Sequence, residues 1–220
     1  MARWKPERKE ATRQLILEAA AQLFRERGYA DTSVSDVMEH IGLTVGGFYA
    51  HFESKEMLLS EVIAESMSRT GHRLFTGLDS SSGSDVVRGV TQRYLSRFHR
   101  DHPEQGCILP ALAAEAGRHG DAPREAVDSY LREVLAVFGE QLHSGDAESA
   151  EARADGAAAD ELALAITALS VGGIVLARAV NDPQLSDAIL RACRRFAIRD
   201  GARGRPNAES TTTSKVSDAR

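Results

Sequence analysis

Between Thr32 and Leu59 the sequence TSVSDVMEHIGLTVGGFYAHFESKEMLL gathers side chains suited to holding an anionic polymer. Thr32, Ser33 and Thr44 bring hydroxyls, Tyr49 a phenol, His51 an imidazole and Lys55 an ammonium. Phenol and imidazole groups can hydrogen-bond phosphate oxygens, and a cation beside a helix start adds to the pull of the free backbone N–H groups there. Between these residues lie Thr44, Val45, Gly46 and Gly47, all small. A helix entering a major groove about 12 Å wide needs small or hydrogen-bonding residues at its N-terminal end. Each glycine within a helix is disfavoured by about 1 kcal/mol relative to alanine, so the pair makes better sense as close approach to another surface. Taken singly, Tyr49 and His51 read as ordinary half-exposed side chains. The whole string points to nucleic acid.

Other chemistries find little support. The seven histidines, His40, His51, His72, His99, His102, His119 and His143, form no H-E-x-x-H or other compact ligand pattern, so no metal is expected. Phosphate loops, dinucleotide fingerprints and Ser-His-Asp arrangements are also lacking, and neither an enzyme nor a cofactor is expected. Of the two cysteines, Cys107 and Cys193, Cys107 opens a predicted helix. A helix N-terminus lowers a thiol pKa, so Cys107 is either a sensor of electrophiles or oxidants or a small buried hydrophobe.

The elements that position the string can be read around it. Ile16, Ala20, Leu23 and Phe24 give the first helix, from about Glu10 to Arg27, one buried stripe, and Gly28 stops it. Ser33 caps a second helix with Asp36 in a capping box, and Gly42 ends it. Thr44 caps a short third helix ending near His51, held by Phe48 and Phe52 one turn apart. Ser54 caps a long fourth helix reaching Leu74 or Phe75. The outline is a helix-turn-helix DNA reader. Residues 1 to 13 carry a surplus of three positive charges, either an arm lying on phosphates or a solvated terminus.

Composition agrees with an all-α protein that reads DNA locally. The 220 residues are 42% hydrophobic and 27% charged, with few aromatics and many Ala, Leu, Glu and Arg. A net charge of −5 excludes coating nucleic acid through bulk charge but allows a basic face. Only two cysteines, without C-x-x-C spacing, and an N-terminus unlike a secretory signal point to the cytoplasm. Leu162 to Ala177 is uncharged yet shorter than the ~18 to 20 residues of a membrane span, and is expected as a buried or interface helix.

The run RQLILEAAAQLFRERGYADTSVSDVMEHIGLTVGGFYAHFESKEMLL, with its pattern G-L-T-x-G-x-F-Y-x-H-F-x-S-K-E, resembles the DNA-binding domain of TetR-family (tetracycline-repressor-like) transcriptional regulators. The resemblance implies an all-α fold: an arm and helix-turn-helix domain at 1–55, and a helical effector-binding and dimerisation domain at 56–200. A disordered tail at 201–220 is read from its few apolar residues. It further implies that Thr32, Ser33, Tyr49, His51 and Lys55 contact phosphates, while Thr44, Val45, Gly46 and Gly47 lie nearest the bases. None of those four is Lys, Arg, Asn or Gln, so direct readout is sparse and DNA shape carries more of the specificity.

Past the fourth helix, further helices are expected at about 85–100, 107–118, from Pro123 to about Leu142, at 160–180 and at 185–199. His143 to Asp160 is expected to connect loosely. The resemblance implies a small-molecule pocket among the middle helices, for which Met67, Tyr94, Phe98, Cys107, Leu109, Leu112, Tyr130 and Phe138 are candidate walls, though each also suits plain core. Small residues at Ala165, Ala168, Gly172 and Gly173 admit a close helix, with Leu169, Ile174, Leu176 and Leu190 filling the contact. A monomer could bury that pair in its own bundle. The resemblance implies instead a homodimer reading a palindromic operator and released by a small-molecule effector.

Overall fold

The computed structural model describes residues 6–78, 83–142 and 150–203, and among them there are helices and turns but no strand. Among the described residues ten α-helices follow one another: α1 Pro6–Arg27, α2 Val34–His40, α3 Val45–Phe48, α4 Lys55–Phe75, α5 Gly83–Tyr94, α6 Arg97–Asp101, α7 Leu109–Ala116, α8 Asp121–Leu142, α9 Ala150–Ala179 and α10 Pro183–Arg203. A single 3-10 turn, Pro103–Gln105, joins α6 to α7.

The first three helices form a small unit around Phe24, Val37, Met38, Phe48 and Phe52, all buried. The Ser33 capping box with Asp36 is present in full, a cap of about 1 kcal/mol. Gly42 ends α2 at φ 68°, a conformation that favours glycine. Ser54 caps α4 by accepting from the Met57 N–H. Thr44 has the extended N-cap backbone, but its hydroxyl makes no capping hydrogen bond, and α3 closes at Phe48 with a turn carrying the chain to His51.

The main core continues from this unit through Leu58, Leu59, Val62 and Ile63 of α4 into Leu95, Ile108, Leu112, Ile174 and Leu190. A second cluster joins Val86, Val87 and Val90 of α5 to Phe138, Ile166 and Ala197. α4 packs along α8, and α9 along α10.

Four expectations are revised. The helix read over 85–100 is two helices, because Ser96 turns the chain and caps α6 by accepting from the His99 N–H. That cap rotates the following residues, so His99 is buried and Phe98 is 51% exposed instead of continuing the Val87, Val90, Tyr94 stripe. Cys107 precedes α7 by two residues and does not open it. α9 starts at Ala150, so part of the presumed loose connection is helical, while 143–149 lie outside the described residues. α10 likewise runs on through Gly201 to Arg203, past the expected start of the tail, and 204–220 lie outside the described residues.

Candidate nucleic-acid interface and effector cleft

The reader presents Thr44, Val45, Gly46 and Tyr49 outward, with Tyr49 63% exposed. Phe48 stacks on Phe52 at 5.6 Å and meets the Tyr49 ring edge-on at 5.2 Å, which fixes the direction of the phenol. A Cβ at Gly46 would meet nothing within 4 Å, and one at Gly47 only the Met38 methyl at 3.6 Å. The protomer's own packing therefore does not require glycine at either position.

Two expected phosphate contacts are turned inward. Thr32 is fully buried and its hydroxyl donates to the Gly28 carbonyl at 2.8 Å, fastening the α1–α2 turn. Lys55 donates from Nζ to the Tyr29 carbonyl at 2.6 Å and lies 3.9 Å from the centroid of that ring. Burial lowers its pKa, with Glu56 and Glu115 acting in the opposite sense. Ser33 is exposed, and His51 is half-buried with its Nδ1 lacking a partner among the described residues. Burial first, then Lys9 and Arg13, lower the His51 pKa and favour the neutral ring. Arg13 of the basic arm pairs with Glu61 and covers the Phe52 ring at 4.9 Å.

A cleft of about 270 Å³ opens between α4, α5, α6 and the turn before α7. Of the expected walls, Tyr94, Phe98 and Cys107 line it, joined by Thr70, Arg73, Arg93, His99 and Gln105. Leu109 and Leu112 belong to the main core, and Phe138 packs edge-on to Phe75 at 5.2 Å in the second cluster. Tyr130 is also core, and its hydroxyl reaches the Cys107 sulfur at 3.9 Å from behind. The side chain of Met67 lies outside the described residues.

His99 organises the floor of the cleft. Its Nδ1 lies 2.7 Å from the Tyr94 carbonyl and its Nε2 accepts from the Cys107 N–H at 2.9 Å. An acceptor at Nε2 requires the proton on Nδ1, so the ring is neutral. Burial is the main reason its pKa is pushed down to about 4. Gly106 sits flat on this ring, since a Cβ there would stand 2.4 Å from the imidazole. The Tyr94 hydroxyl is buried and has no hydrogen bond of good geometry among the described residues. Burial raises the pKa of both Tyr94 and Tyr130, and the neighbouring Cys107 thiol adds to this through charge and as a weak hydrogen-bond partner.

α9 has two apolar faces. Ala163, Ile166, Ser170, Ile174 and Ala177 turn into the protomer. Leu164, Ala165, Ala168, Val175 and Leu176 form the outward face, with Leu176 58% exposed, and Leu185 and Phe196 of α10 are exposed as well. Three expected dimer residues thus pack within one chain. Ile174 and Leu190 are buried in the main core, and Gly173 is pressed on Leu95 and Cys193, where a Cβ would meet side-chain atoms at 2.9 and 3.1 Å. Leu169 is half-buried on the second cluster, and Gly172 has open space where a side chain would stand. Asp160–Ala179 is long and apolar enough to cross a membrane by length and composition alone, and one third of it is buried inside the bundle.

The sequence matches two family models in tandem. Residues 16–62 match bacterial regulatory proteins of the tetR family, and residues 83–193 match the tetracyclin repressor-like C-terminal domain. The chain belongs to the TetR family. An uncharacterized helix-turn-helix transcriptional regulator of Mycobacterium tuberculosis is 26% identical over 195 residues, covering 87% of this chain and 96% of the relative. The transcriptional repressor NemR of Escherichia coli is 27% identical over 136 residues, 61% of this chain and 68% of NemR. Among solved structures, a TetR transcriptional regulator from Chloroflexus aurantiacus superposes with a TM-score of 0.66 at 26% identity, covering 88% of this chain and 95% of that one. The reduced form of Escherichia coli NemR gives 0.67 at 22% identity, with 85% and 95% coverage.

This TetR-family chain is accordingly a DNA-binding transcriptional regulator and not an enzyme. Family membership sets aside a helical protein without specific DNA binding. Its relatives bind operators, usually dimerise and usually bind small-molecule effectors. Sequence reasoning missed Arg73, Arg93, His99 and Gln105 in the cleft, and His119, whose ring meets Tyr29 at 4.5 Å. Ser96 was the available signal for His99: read as an N-cap, it places that ring on the inner side of α6.

Proposed function

We propose that two copies of this chain form a cytoplasmic repressor that holds a palindromic operator until a small molecule enters the cleft of each subunit. The observation that carries this reading is the outward apolar face on α9 and α10, joined in one chain to a glycine-fronted reader. An exposed contiguous apolar face on a soluble bundle marks an association surface, and an isologous pairing of it yields the two-fold symmetry that a palindrome needs. In the dimer, Ala165, Ala168, Leu176 and Phe196 meet their counterparts. Ser33, Tyr49 and His51 hold phosphates, and Thr44, Val45, Gly46 and Gly47 approach the bases. Thr32 and Lys55 act one step back, by fixing the turn that carries Ser33.

Two routes lead from cleft to reader. α4 lines the cleft with Thr70 and Arg73 and begins at Lys55, while the Pro103–Gln105 turn packs directly on α1. A ligand that favours a tilted α4 moves the two readers out of register with successive grooves, provided it binds that state better. Fluorescence anisotropy on DNA flanking the chain's own gene tests the reading. Wild type is expected to prefer one fragment over a scrambled control, and Leu176→Arg to lose that preference. Equal binding to both fragments by wild type would refute it.

A second reading rests on Cys107. The thiol lines the cleft beside the Tyr94 and Tyr130 hydroxyls, and Arg25 and Arg178 lie within its electrostatic reach. The sulfur would add to an electrophilic carbon, its proton passing to solvent, and the adduct would act as the effector-sensing step. Cys107→Ser would then bind operator normally and ignore electrophiles; a normal response in that variant would refute this reading.

A further inference from the structure

The cleft has a charge that its location does not explain. Arg73 and Arg93 line it, no acidic residue does, and among the described residues both guanidinium groups donate only to backbone carbonyls. Arg73 reaches Gln105, and Arg93 reaches Leu74 at 2.5 Å and Thr76 at 2.9 Å. Such bonds hold the two forks in place without neutralising them. A guanidinium presents five N–H donors, and the single bond of Arg73 and the two made through one nitrogen of Arg93 leave most of each fork for a ligand.

A second, independent feature belongs to a residue of the same lining. The Tyr94 hydroxyl is buried with no hydrogen bond of good geometry among the described residues, and the neighbouring Cys107 thiol is only a weak partner for it. His99 cannot relieve it, because both ring nitrogens are engaged, with the Tyr94 carbonyl and the Cys107 N–H. An oxygen acceptor supplied by a ligand satisfies Tyr94. Phe98 and Leu74 give the cleft an apolar side, and 270 Å³ lies at the lower edge of the ~300 to 1,000 Å³ usual for ligand sites.

We infer that the cleft takes a small amphiphilic anion, a carboxylate or sulfonate on a compact apolar body, with Arg73 and Arg93 on the charge and the Tyr94 hydroxyl on an acceptor oxygen. The apolar body lies against Phe98 and Leu74. The inference names the effector class of the repressor reading and rests on that reading only for the consequence at the operator. Binding itself can be measured without DNA.

The test uses the full chain and calorimetric titration with 4-phenylbutyrate, its neutral amide and 8-anilinonaphthalene-1-sulfonate at fixed ionic strength. Both anions are expected to bind once per protomer, with the amide about tenfold weaker or worse than its acid. Arg73→Gln and Arg93→Gln should each weaken the acid about tenfold, and Tyr94→Phe less, with unchanged circular dichroism. Arg93→Lys keeps the charge and guards against a folding defect, and should bind the acid more tightly than Arg93→Gln. Failure of both anions to bind at millimolar concentration, or equal binding of acid and amide, would overturn the site. Binding that depends on Arg73 but leaves operator affinity unchanged would support the site and refute the effector reading.

Discussion

The Lys55 ammonium stands over the ring of Tyr29, 3.9 Å from its centroid, and donates to that residue's carbonyl at 2.6 Å. The same ring receives His119 at 4.5 Å, from the turn between α7 and α8. The first residue of α4 and the C-terminal domain therefore grip one side chain of the reader. Lys55→Met keeps the aliphatic stem and removes the cation and its donor. It is expected to lower reader stability by about 1 kcal/mol, since the group is partly solvated. The salt dependence of operator binding should keep its slope, because no phosphate contact is removed. A slope smaller by about one unit, measured by anisotropy from 50 to 200 mM salt, would put Lys55 on a phosphate instead.

Gly46 offers the opposite separation of folding from binding. A Cβ there meets nothing within the chain, so Gly46→Ala should leave thermal stability equal or raise it by about 0.5 to 1 kcal/mol. The methyl would stand between α3 and the DNA, and operator affinity should fall about tenfold. Melting curves and anisotropy on the same preparation give both quantities.

Capping residues and apolar stripes made much of this fold legible. Ser33, Gly42 and Ser54 each mark a helix boundary through a local interaction that the sequence writes down directly. Ile174 and Leu176 show where that legibility ends. Both are apolar and two residues apart on one helix, yet one is buried in the protomer and the other 58% exposed. An apolar period reports that a face is apolar and not which partner covers it. Lys55 shows a related limit: a cation at a helix start suits a phosphate, but the ring and carbonyl of Tyr29 that it meets come from a turn 26 residues earlier.

The two faces of α9 predict two different failures. Leu176→Arg should halve the mass in sedimentation at micromolar concentration while preserving helicity, because the side chain points away from its own core. Gly173→Ala pushes a methyl against Leu95 and Cys193 and should destabilise each protomer by roughly 1 to 3 kcal/mol in urea. A mass unchanged by the first, or a dimer lost through the second without loss of stability, would exchange the two assignments.

His99 predicts a pH dependence. Its folded pKa of about 4 lies below the unfolded value of about 6.5, so between those pH values the unfolded chain binds the extra proton. The stability it contributes is fully present above pH ~6.5 and declines as pH falls toward 4, by on the order of 3 kcal/mol in total. The urea midpoint should fall more steeply from pH 6.5 to 5 in wild type than in His99→Gln, which has no titrating ring. Parallel profiles would mean that His99 is not held neutral.

Hydroxyl-radical footprinting of the purified chain on the DNA flanking its own gene tests the central claim most directly. A dimer with paired readers predicts two protected patches related by a two-fold axis, with half-site centres separated by one helical turn, ~34 to 36 Å, or a multiple of it. Both patches should weaken together in Gly46→Ala and vanish in Leu176→Arg. One unpaired patch, or protection that Leu176→Arg retains, would contradict the account.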